Sequence, residues 1–341
     1  MKSYIIRLDQ GMYAPHARFL QEEFGFQDLT LYEKKKNRLV SKRITVVETI
    51  LFIVFLLRNL SKYQHTHTIV SMGWSSLFLK ILIKLNIIQC QRFFWLGFFI
   101  HNKSLFSPVK RMLTATKIDQ ECYIVNSESD SSLYFQQLNI PKSKLVCLPY
   151  ADFSSAVVEK EQVKAQLGSY YFAGGFTNRD YGSLIDAFRQ VDQKLIIVGS
   201  HLNKDLLVEL PPNVQVLRDI PKKKFSALVR NARACILPLK NKTGASGQMV
   251  LLNYMKQAKA IIASKMKITQ ECVEEGKSAL FYQDAVKEIP SIIRYLDEDE
   301  DKIIQMGLAA NEQYNQNFGS EIVKNKLSEL ISADVYVPHS L

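Results

Sequence analysis

Two short stretches of the sequence combine glycine with basic or polar side chains in a pattern suited to binding an anion. The first contains Gly174 and Gly175, with Arg179 four residues later. Glycine lets the backbone approach a ligand closely because it has no side chain, and a guanidinium offers five donors in a fixed geometry. The same residues also allow two ordinary roles, which are a tight turn for the glycines and a surface ion pair between Arg179 and Asp180.

The second stretch is Ser246-Gly247-Gln248, which directly precedes a predicted apolar helix. Backbone N–H groups at a helix N-terminus point outward with the helix dipole behind them, so they favour a phosphate. Lys240 and Lys242 lie close by in sequence and add positive charge, although a solvated loop is the more ordinary role for these two lysines.

The elements that position these residues alternate between strand and helix. In the first half, strands are predicted at 67–72, 92–100, 122–126 and 144–148, and helices at 46–60, 75–86, near 108–116 and after a capping Ser127. In the second half, strands are predicted at 170–173, 194–198, 214–217, 234–237 and 260–263, and helices at 181–190, 222–231, 247–256, 289–296, 302–316 and 320–331.

This alternation predicts an α/β protein with two doubly wound parallel-sheet (Rossmann-like) domains facing a cleft. We expect a first domain over 1–152, a second over 168–316 and a terminal helix over 317–341 that packs back toward the first. The polar stretch 152–167 is the candidate linker. Ligands of open α/β sheets bind beyond the carboxyl ends of the strands, which places the site in the cleft.

Composition narrows the class of protein. The chain has 341 residues, is 47% hydrophobic and 23% charged, and so is of an ordinary globular type rather than disordered. Its five cysteines are scattered without a C-x-x-C motif, and no Asp-x-Asp motif occurs. These patterns predict neither a metal site nor a disulfide framework, and they favour a reducing compartment. The opening residues also lack the apolar run of a signal peptide.

Charge is concentrated in the first half, where residues 1–150 hold 20 Lys/Arg and 10 Asp/Glu of a chain with net charge +11. This half also holds the most apolar segments, a mixture that fits an anionic membrane surface better than nucleic acid. Its longest apolar run, 49–57, is too short for a span of roughly 20 residues. We expect the helix over 46–60 to be a core helix covered on nearly all sides, with an interfacial helix as the alternative. Lys80 and Lys84, four residues apart, are expected to form one basic face of the helix over 75–86.

Four stretches of the second half resemble the nucleotide-binding domain of retaining GT-B glycosyltransferases of the family 4 type (group 1). They are YFAGGFTNRDYGSLIDAF (171–188), LIIVGS (195–200), NVQVLRDIPKKKFSALVRNARACILPL (213–239) and GASGQMVLLNYMKQAKAIIAS (244–264). The first half is similar only in layout, through CYIVNSES and KLVCLPYADF.

The resemblance implies that the glycine turn, Arg179 and the Ser246–Gln248 turn bind the diphosphate of a nucleotide sugar such as a UDP- or GDP-sugar, with no cofactor. The sequence departs from the family where two glutamates are usual, since Ala245 and Asn253 stand there. An asparagine can still hydrogen-bond a ribose diol, whereas an alanine cannot replace a carboxylate. Gln248 is a candidate replacement for the missing polar contact.

The first half offers fewer candidates for the site. His101 follows an apolar run and aligns roughly with a family histidine near the donor sugar, so the resemblance implies a catalytic role beside Arg179. Gly11 stands where the family has a glycine-rich loop, with His16 and Arg18 as alternates. Ser127 and Glu128 close a predicted strand at the cleft, and capping is the expected role of Ser127.

The leading hypothesis is therefore a retaining, metal-independent glycosyltransferase with a glycan or lipid-linked glycan acceptor. It would act in surface polysaccharide biosynthesis, in the cytoplasm and peripherally on the inner face of the cell membrane. The main alternative is a non-catalytic GT-B partner subunit of an active transferase, because both glutamates are missing. A nucleotide-sugar epimerase of similar fold is a third hypothesis, and nucleic-acid binding is disfavoured.

Overall fold

The computed structural model describes residues 2–9, 14–32, 46–72, 75–98, 120–138, 140–150, 158–201, 203–206, 208–240 and 246–333. The chain divides into two compact units. The first unit comprises Met1–Phe153 and Val323–Leu341, and the second unit comprises Ser154–Ile322.

The first unit is built on a six-stranded sheet in which each adjacent pair is parallel, in the order β2-β1-β3-β4-β5-β6. Its strands are β1 Ser3–Asp9, β2 Gln27–Tyr32, β3 His65–Met72, β4 Gln89–Leu96, β5 Gln120–Val125 and β6 Leu145–Cys147. Its helices are α1 Ala14–Phe24, α2 Val46–Tyr63, α3 Ser75–Lys84 and α4 Glu128–Leu138. Separate apolar clusters cover the two faces of the sheet, as a parallel sheet requires.

The second unit repeats this plan with the strand order β12-β11-β10-β7-β8-β9, again parallel throughout. Its strands are β7 Tyr170–Gly174, β8 Lys194–Gly199, β9 Val214–Arg218, β10 Cys235–Leu237, β11 Ile261–Ser264 and β12 Ala279–Tyr282. Its helices are α5 Lys160–Ala165, α6 Tyr181–Phe188, α7 Lys222–Arg230, α8 Gln248–Lys256, α9 Lys267–Gln270, α10 Ala285–Asp297 and α11 Glu300–Asn317. The central strands are short apolar runs because both of their faces are buried.

The last helix, α12 Ser320–Ser332, contributes to the core of the first unit. Its Val323 and Leu327 are buried in the cluster that contains Ile5 and Ala17. The buried guanidinium of Arg92 on β4 donates to the carbonyls of the final turn, at 2.9 Å to Leu330 and 2.6 Å to Ile331. These carbonyls lack intrahelical partners. The guanidinium satisfies them, and its positive charge interacts favourably with the negative end of the helix dipole.

The predicted α/β class with two doubly wound parallel sheets is confirmed, and most predicted elements are present with ends shifted by a few residues. The sequence did not delimit β1, and it missed β2, β12, α1 and α9. The helix predicted near 108–116 lies outside the described residues. Part of the predicted linker forms α5, whose Val163 packs with Ala258 and Ile304 of the second unit.

The expected burial of the helix over 46–60 is wrong. One face of α2 packs on the sheet through Phe52 and Leu56, whereas Ile50, Leu51 and Leu57 are about half exposed. A run of apolar residues shows that a helix has no polar face. It does not show that other elements cover every face of the helix. Within the described part of the chain, no helix combines the length and the hydrophobicity needed to cross a membrane.

The expected basic face on α3 is also wrong, because Lys80 is fully buried. Its ammonium pairs with Glu121 on β5 and donates to the Tyr123 hydroxyl at 3.1 Å. The ring of Phe93 lies beneath it, and burial lowers the pKa of Lys80 to about 7. A charged lysine that is shielded from water requires a carboxylate partner. Here the partner is Glu121, which lies 41 residues away in sequence on β5.

Candidate functional site

The second unit has a topological switch point at β7. Strands β8 and β9 extend the sheet on one side of β7, whereas β10, β11 and β12 extend it on the other. The loops that leave the carboxyl ends of β7 and β10 therefore lie at the usual ligand position in such sheets. Backbone hydrogen bonds hold these loops together, from Asp180 to the Pro238 carbonyl at 3.0 Å and from Lys240 to the Asn178 carbonyl at 3.3 Å.

The glycine turn follows β7 directly, and close packing explains both glycines. Gly175 has φ 109°, which disfavours other residues, and a Cβ atom there would lie 2.5 Å from Nη2 of Arg179. A Cβ atom on Gly174 would lie 2.6 Å from the ring of Phe225. The Gly174 amide donates to the Tyr254 hydroxyl at 2.9 Å. The turn is thus shaped by its own packing and not only by the needs of a ligand.

Arg179 lies beneath this turn and is only 5% exposed. Its Nε donates to the Gly174 carbonyl at 3.0 Å, and its Nη1 donates to the Thr177 carbonyl at 2.6 Å. The alternative surface pair with Asp180 is not what the structure shows, because that carboxylate caps α6 by accepting from Ser183. The geometry gives Arg179 a positioning role, and its direct contact with a diphosphate stays a prediction.

The second predicted anion contact, the start of α8, lies beside the carboxyl end of β10. Gly247 is the N-cap with φ 101°, and a Cβ atom there would lie 3.0 Å from the side chain of Leu239. The first amides of an α-helix have no intrahelical acceptors, and Ser246 directly before this helix start is half-buried.

The side chains of Gln248 and Asn253 are engaged within the protein. Gln248 is buried and hydrogen-bonds the thiol of Cys272, whose pKa burial raises to about 12. Asn253 is half-buried, and its Oδ1 accepts from Gln257 one turn further along α8. The predicted roles as a replacement polar contact and as a ribose ligand therefore stay predictions. Ala245 and Lys242 lie outside the described residues.

Several residues that hold the site in place were not singled out from the sequence. Ser264 at the end of β11 accepts from the Leu239 amide at 2.8 Å and donates to the Tyr282 hydroxyl at 3.0 Å. Burial raises the pKa of Tyr282 well above its usual value, so its hydroxyl stays protonated. The residues give no local signal for this role because the contacts join strands distant in sequence.

The remaining strand ends add polar and basic groups to this edge of the sheet. His201 follows β8 and bonds Asp219, which follows β9, at 3.0 Å, and this bond lowers the pKa of the Asp219 carboxyl. Asn203 links the two neighbouring loops by accepting from the Ser200 amide and donating to the Phe176 carbonyl.

Lysines lie at the same edge. Lys240 follows β10 and pairs with Asp205, and Lys265 directly follows β11 and is exposed. The arrangement places a helix N-terminus and cations at one sheet edge, which is suited to a phosphorylated ligand. Among the described residues, no group of three or more His, Cys, Asp or Glu side chains is placed to hold a metal ion.

Only some of the candidate site residues of the first unit lie in the part of the chain that the structure describes. His101 and Gly11 lie outside the described residues. His16, in the first turn of α1, is fully buried, which lowers the pKa of its imidazole to about 4, and Arg18 is exposed. The predicted capping role of Ser127 is confirmed, since its Oγ accepts from the Asp130 amide at 3.1 Å. Glu128 is exposed in the first turn of α4.

One family model matches part of the second unit. Residues 169–299 match the model described as glycosyl transferases group 1. The predicted resemblance is thereby confirmed at the level of the group, and the finer assignment to family 4 stays a prediction. No curated protein matches the chain significantly by sequence.

Solved structures show the fold of the whole chain. Anabaena HepE in complex with UDP is 14% identical, with a TM-score of 0.69 over 97% of this chain and 100% of its own. Sucrose-phosphate synthase from Thermosynechococcus elongatus is 14% identical, with a TM-score of 0.71 over 97% and 98% of the two chains. A glycosyltransferase from Rickettsia africae is 11% identical, with a TM-score of 0.68 over 98% and 99%. The predicted GT-B class is confirmed by these likenesses.

Proposed function

We propose that this protein transfers a sugar from a nucleotide-sugar donor to a glycan or lipid-linked glycan acceptor. The proposal rests mainly on one observation, which is the pairing of the glycine turn with the N-terminus of α8 at the switch point of the unit that matches the group 1 glycosyltransferase model. As the glycosidic bond breaks, negative charge develops on the diphosphate. Preorganised amides and cations at that point lower the barrier.

In this proposal the residues of the second unit have distinct roles. The backbone amides of Ser246, Gly247 and Gln248 bind the diphosphate, and Arg179 holds Gly174 and Gly175 in the shape that admits it. Asn253 is the candidate ribose contact, and Lys265 adds positive charge at the same edge. The reaction is proposed to be retaining, as the resemblance to retaining GT-B glycosyltransferases implies. It is proposed to be metal-independent, because amides and cations support the leaving diphosphate.

We propose that the nucleotide of the donor is a uridine diphosphate, since HepE, which is structurally similar to this chain, was solved with UDP and with UDP-glucose. His101 is the proposed catalytic contribution of the first unit, as a hydrogen-bond partner of the donor sugar. The acceptor is proposed to belong to surface polysaccharide biosynthesis, at the inner face of the cell membrane, because the first half combines apolar segments with excess positive charge.

A thermal-shift panel of UDP, GDP and their sugars tests the donor site. A ligand that binds only the folded protein raises its melting temperature by mass action, so one nucleotide should give a clear increase. A flat response to every nucleotide contradicts the proposed site.

Calorimetry with the best nucleotide then tests the role of Arg179. We expect Arg179→Ala to weaken binding about tenfold or more, because loss of two hydrogen bonds to carbonyls releases the glycine turn. Arg189→Ala is the matched control, since that side chain is exposed at the far end of α6. Equal affinities for the two variants would remove Arg179 from the site.

Activity of the purified chain separates the proposal from its main alternative. Donor hydrolysis or transfer supports an enzyme, and unchanged rates with a chelator support the metal-independent mechanism. The anomeric configuration of the product, read by NMR, tests retention. Nucleotide binding without turnover, together with stable co-purification of a second transferase, would instead favour a non-catalytic partner subunit, as the missing glutamates at Ala245 and Asn253 allow.

A further inference from the structure

Helix α2 of the first unit carries an apolar surface that no described residue covers. Five of its large apolar side chains are between 36% and 55% exposed: Ile50, Leu51, Ile53, Val54 and Leu57. The opposite side of the same helix is anchored, since Phe52, Leu56 and Tyr63 are buried against the sheet. The helix is thus firmly packed on one side while it presents apolar side chains to solvent on the other.

The exposed side chains form one continuous surface, which we call the α2 face. At 100° per residue, Ile50, Val54 and Leu57 lie within about 60° of one another, and Ile53 and Leu51 border them. From typical side-chain areas the α2 face amounts to roughly 400 Å², which is the size of the largest apolar patch on a typical monomer, and such patches are often functional. Scattered surface leucines would need no explanation, but a single continuous patch does.

Positive charge borders the α2 face. Arg58 and Lys62 are exposed and lie along one edge of the α2 face, in the last turns of the helix. Residues 50–63 contain no Asp or Glu. In the sequence just ahead of α2, residues 34–43 contain six Lys/Arg. Apolar side chains flanked by cations match the boundary between acyl chains and anionic headgroups.

We propose that the α2 face is a membrane-docking surface, with α2 lying in the plane of a bilayer that contains anionic lipid. Ile50, Val54 and Leu57 enter the boundary between headgroups and acyl chains, and Arg58 and Lys62 contact the headgroups. A second copy of the chain is the less suitable occupant. A patch of about 400 Å² buries roughly half of the total area found in a stable dimer, and the flanking cations would repel their counterparts. This inference is independent of sugar transfer.

Vesicle co-sedimentation of the full chain, without nucleotide, tests the proposal. The wild type should pellet with phosphatidylcholine vesicles that contain phosphatidylglycerol and stay in solution with phosphatidylcholine alone. Ile50→Ser, Val54→Ser and Leu57→Ser combined should lower vesicle affinity about tenfold or more by removing the inserted surface. Arg58→Gln with Lys62→Gln should weaken binding and reduce its dependence on salt concentration.

A matched control distinguishes docking from general hydrophobicity. Val208→Ser with Tyr295→Ser removes two side chains of the second unit that are as exposed as those of α2, and it should leave vesicle binding unchanged. Circular dichroism verifies that each variant is folded, as expected when only exposed side chains change.

Two results would overturn the inference. In the first, the wild type does not bind anionic vesicles, or the triple variant binds them as well as the wild type does. In the second, sedimentation shows a concentration-dependent dimer that the triple variant abolishes while vesicle binding persists, which would make the α2 face an interface between copies. Because no donor is present, failure here leaves the nucleotide-binding tests of sugar transfer unaffected.

Discussion

The two units share one topology but differ in how their buried charges are held. The first unit encloses ion pairs, with Lys80 and Glu121 paired in its interior and Arg7 bonded to Asp28 and Thr30. The buried cations of the second unit, Arg179 and Lys259, donate to backbone carbonyls instead. Several ion pairs of the second unit, such as Lys287 with Asp284, lie at its surface.

The surfaces of the two units differ as well, in where apolar side chains are exposed. The first unit leaves the apolar α2 face exposed, whereas the second unit has apolar strands enclosed and polar groups at the edge proposed to bind the donor. Buried ion pairs and a continuous exposed apolar face both cost stability, so their combination in the first unit points to requirements other than folding.

The largest effect on stability is expected at Lys80, where substitution tests the buried ion pair of the first unit against an exposed pair of the second. Lys80→Met leaves the buried Glu121 carboxylate with only the more distant Lys144 ammonium at 3.8 Å, which should cost about 3–5 kcal/mol of unfolding free energy. Both tryptophans, Trp74 and Trp95, lie in the first unit, so their fluorescence during urea unfolding reports on this unit alone. Lys287→Met in the second unit is the control, and loss of that exposed pair should leave the unfolding free energy nearly unchanged.

Replacing both members of the buried pair sharpens this test. Lys80→Met with Glu121→Leu should recover most of the lost stability, because neither variant side chain needs a charged partner. If the double variant is as unstable as Lys80→Met, packing rather than uncompensated charge explains the loss.

A second large effect is expected from pH through His16. Burial lowers the pKa of His16 to about 4 in the folded protein, against 6.5 for the free side chain. Between these values the unfolded chain binds a proton that the folded protein does not, so stability falls as the pH drops from 6.5 to 4. The expected loss is about 3 kcal/mol, measured by tryptophan fluorescence at a series of pH values. His16→Gln should flatten this dependence, and an unchanged slope in that variant would assign it to other groups.

An intermediate effect is expected in the glycine turn of the second unit. Gly175→Ala places a Cβ atom against Arg179 and forces an alanine to φ 109°, which should cost about 1–3 kcal/mol and weaken nucleotide binding. Gly182→Ala is the control, because a Cβ atom there has no neighbour within 4 Å and lies in helix α6. That control should be neutral or stabilising by up to about 1 kcal/mol. Calorimetric unfolding with and without nucleotide compares the two variants.

The smallest effects are expected at two helix caps, one in each unit. Ser127→Ala removes the acceptor for the Asp130 amide, and Asp180→Ala removes the acceptor for the Ser183 amide. Each should cost about 1 kcal/mol. Only Ser127→Ala should shift the tryptophan-detected transition if the units unfold independently. Equal shifts for both variants would show that the two units unfold together.

The sequence predicts much of the second unit because its signals are local. Runs such as 194–198 are too apolar for a surface and too short for a helix, and glycine or proline ends several of them. The capping of α4 by Ser127 follows from similarly local chemistry. The first unit was harder to predict, since β1 and β2 contain charged or polar residues such as Arg7 and Asp28 whose pairing is visible only in the sheet.

Part of the candidate site could also be found in the sequence. Gly174, Gly175 and Arg179 were recognised as a group, and the structure brings them into contact. Their arrangement could not be predicted, because the acceptors of Arg179 are backbone carbonyls, which every residue carries. The supporting hydroxyls of Tyr254 and Ser264 come from elements 80 and 25 residues away from the groups they bind.

The sequence by itself determined the alternation of strands and helices, the two-sheet class and the positions of glycine and charge along the chain. Only the tertiary structure decided which of those groups meet and which meet solvent. Lys80 illustrates the first, because its carboxylate partner lies on another strand, and α2 illustrates the second, because its apolar surface extends beyond the sheet that it covers. The physical reason is that periodicity records what each side chain prefers, whereas burial and pairing depend on neighbours that the fold alone brings close.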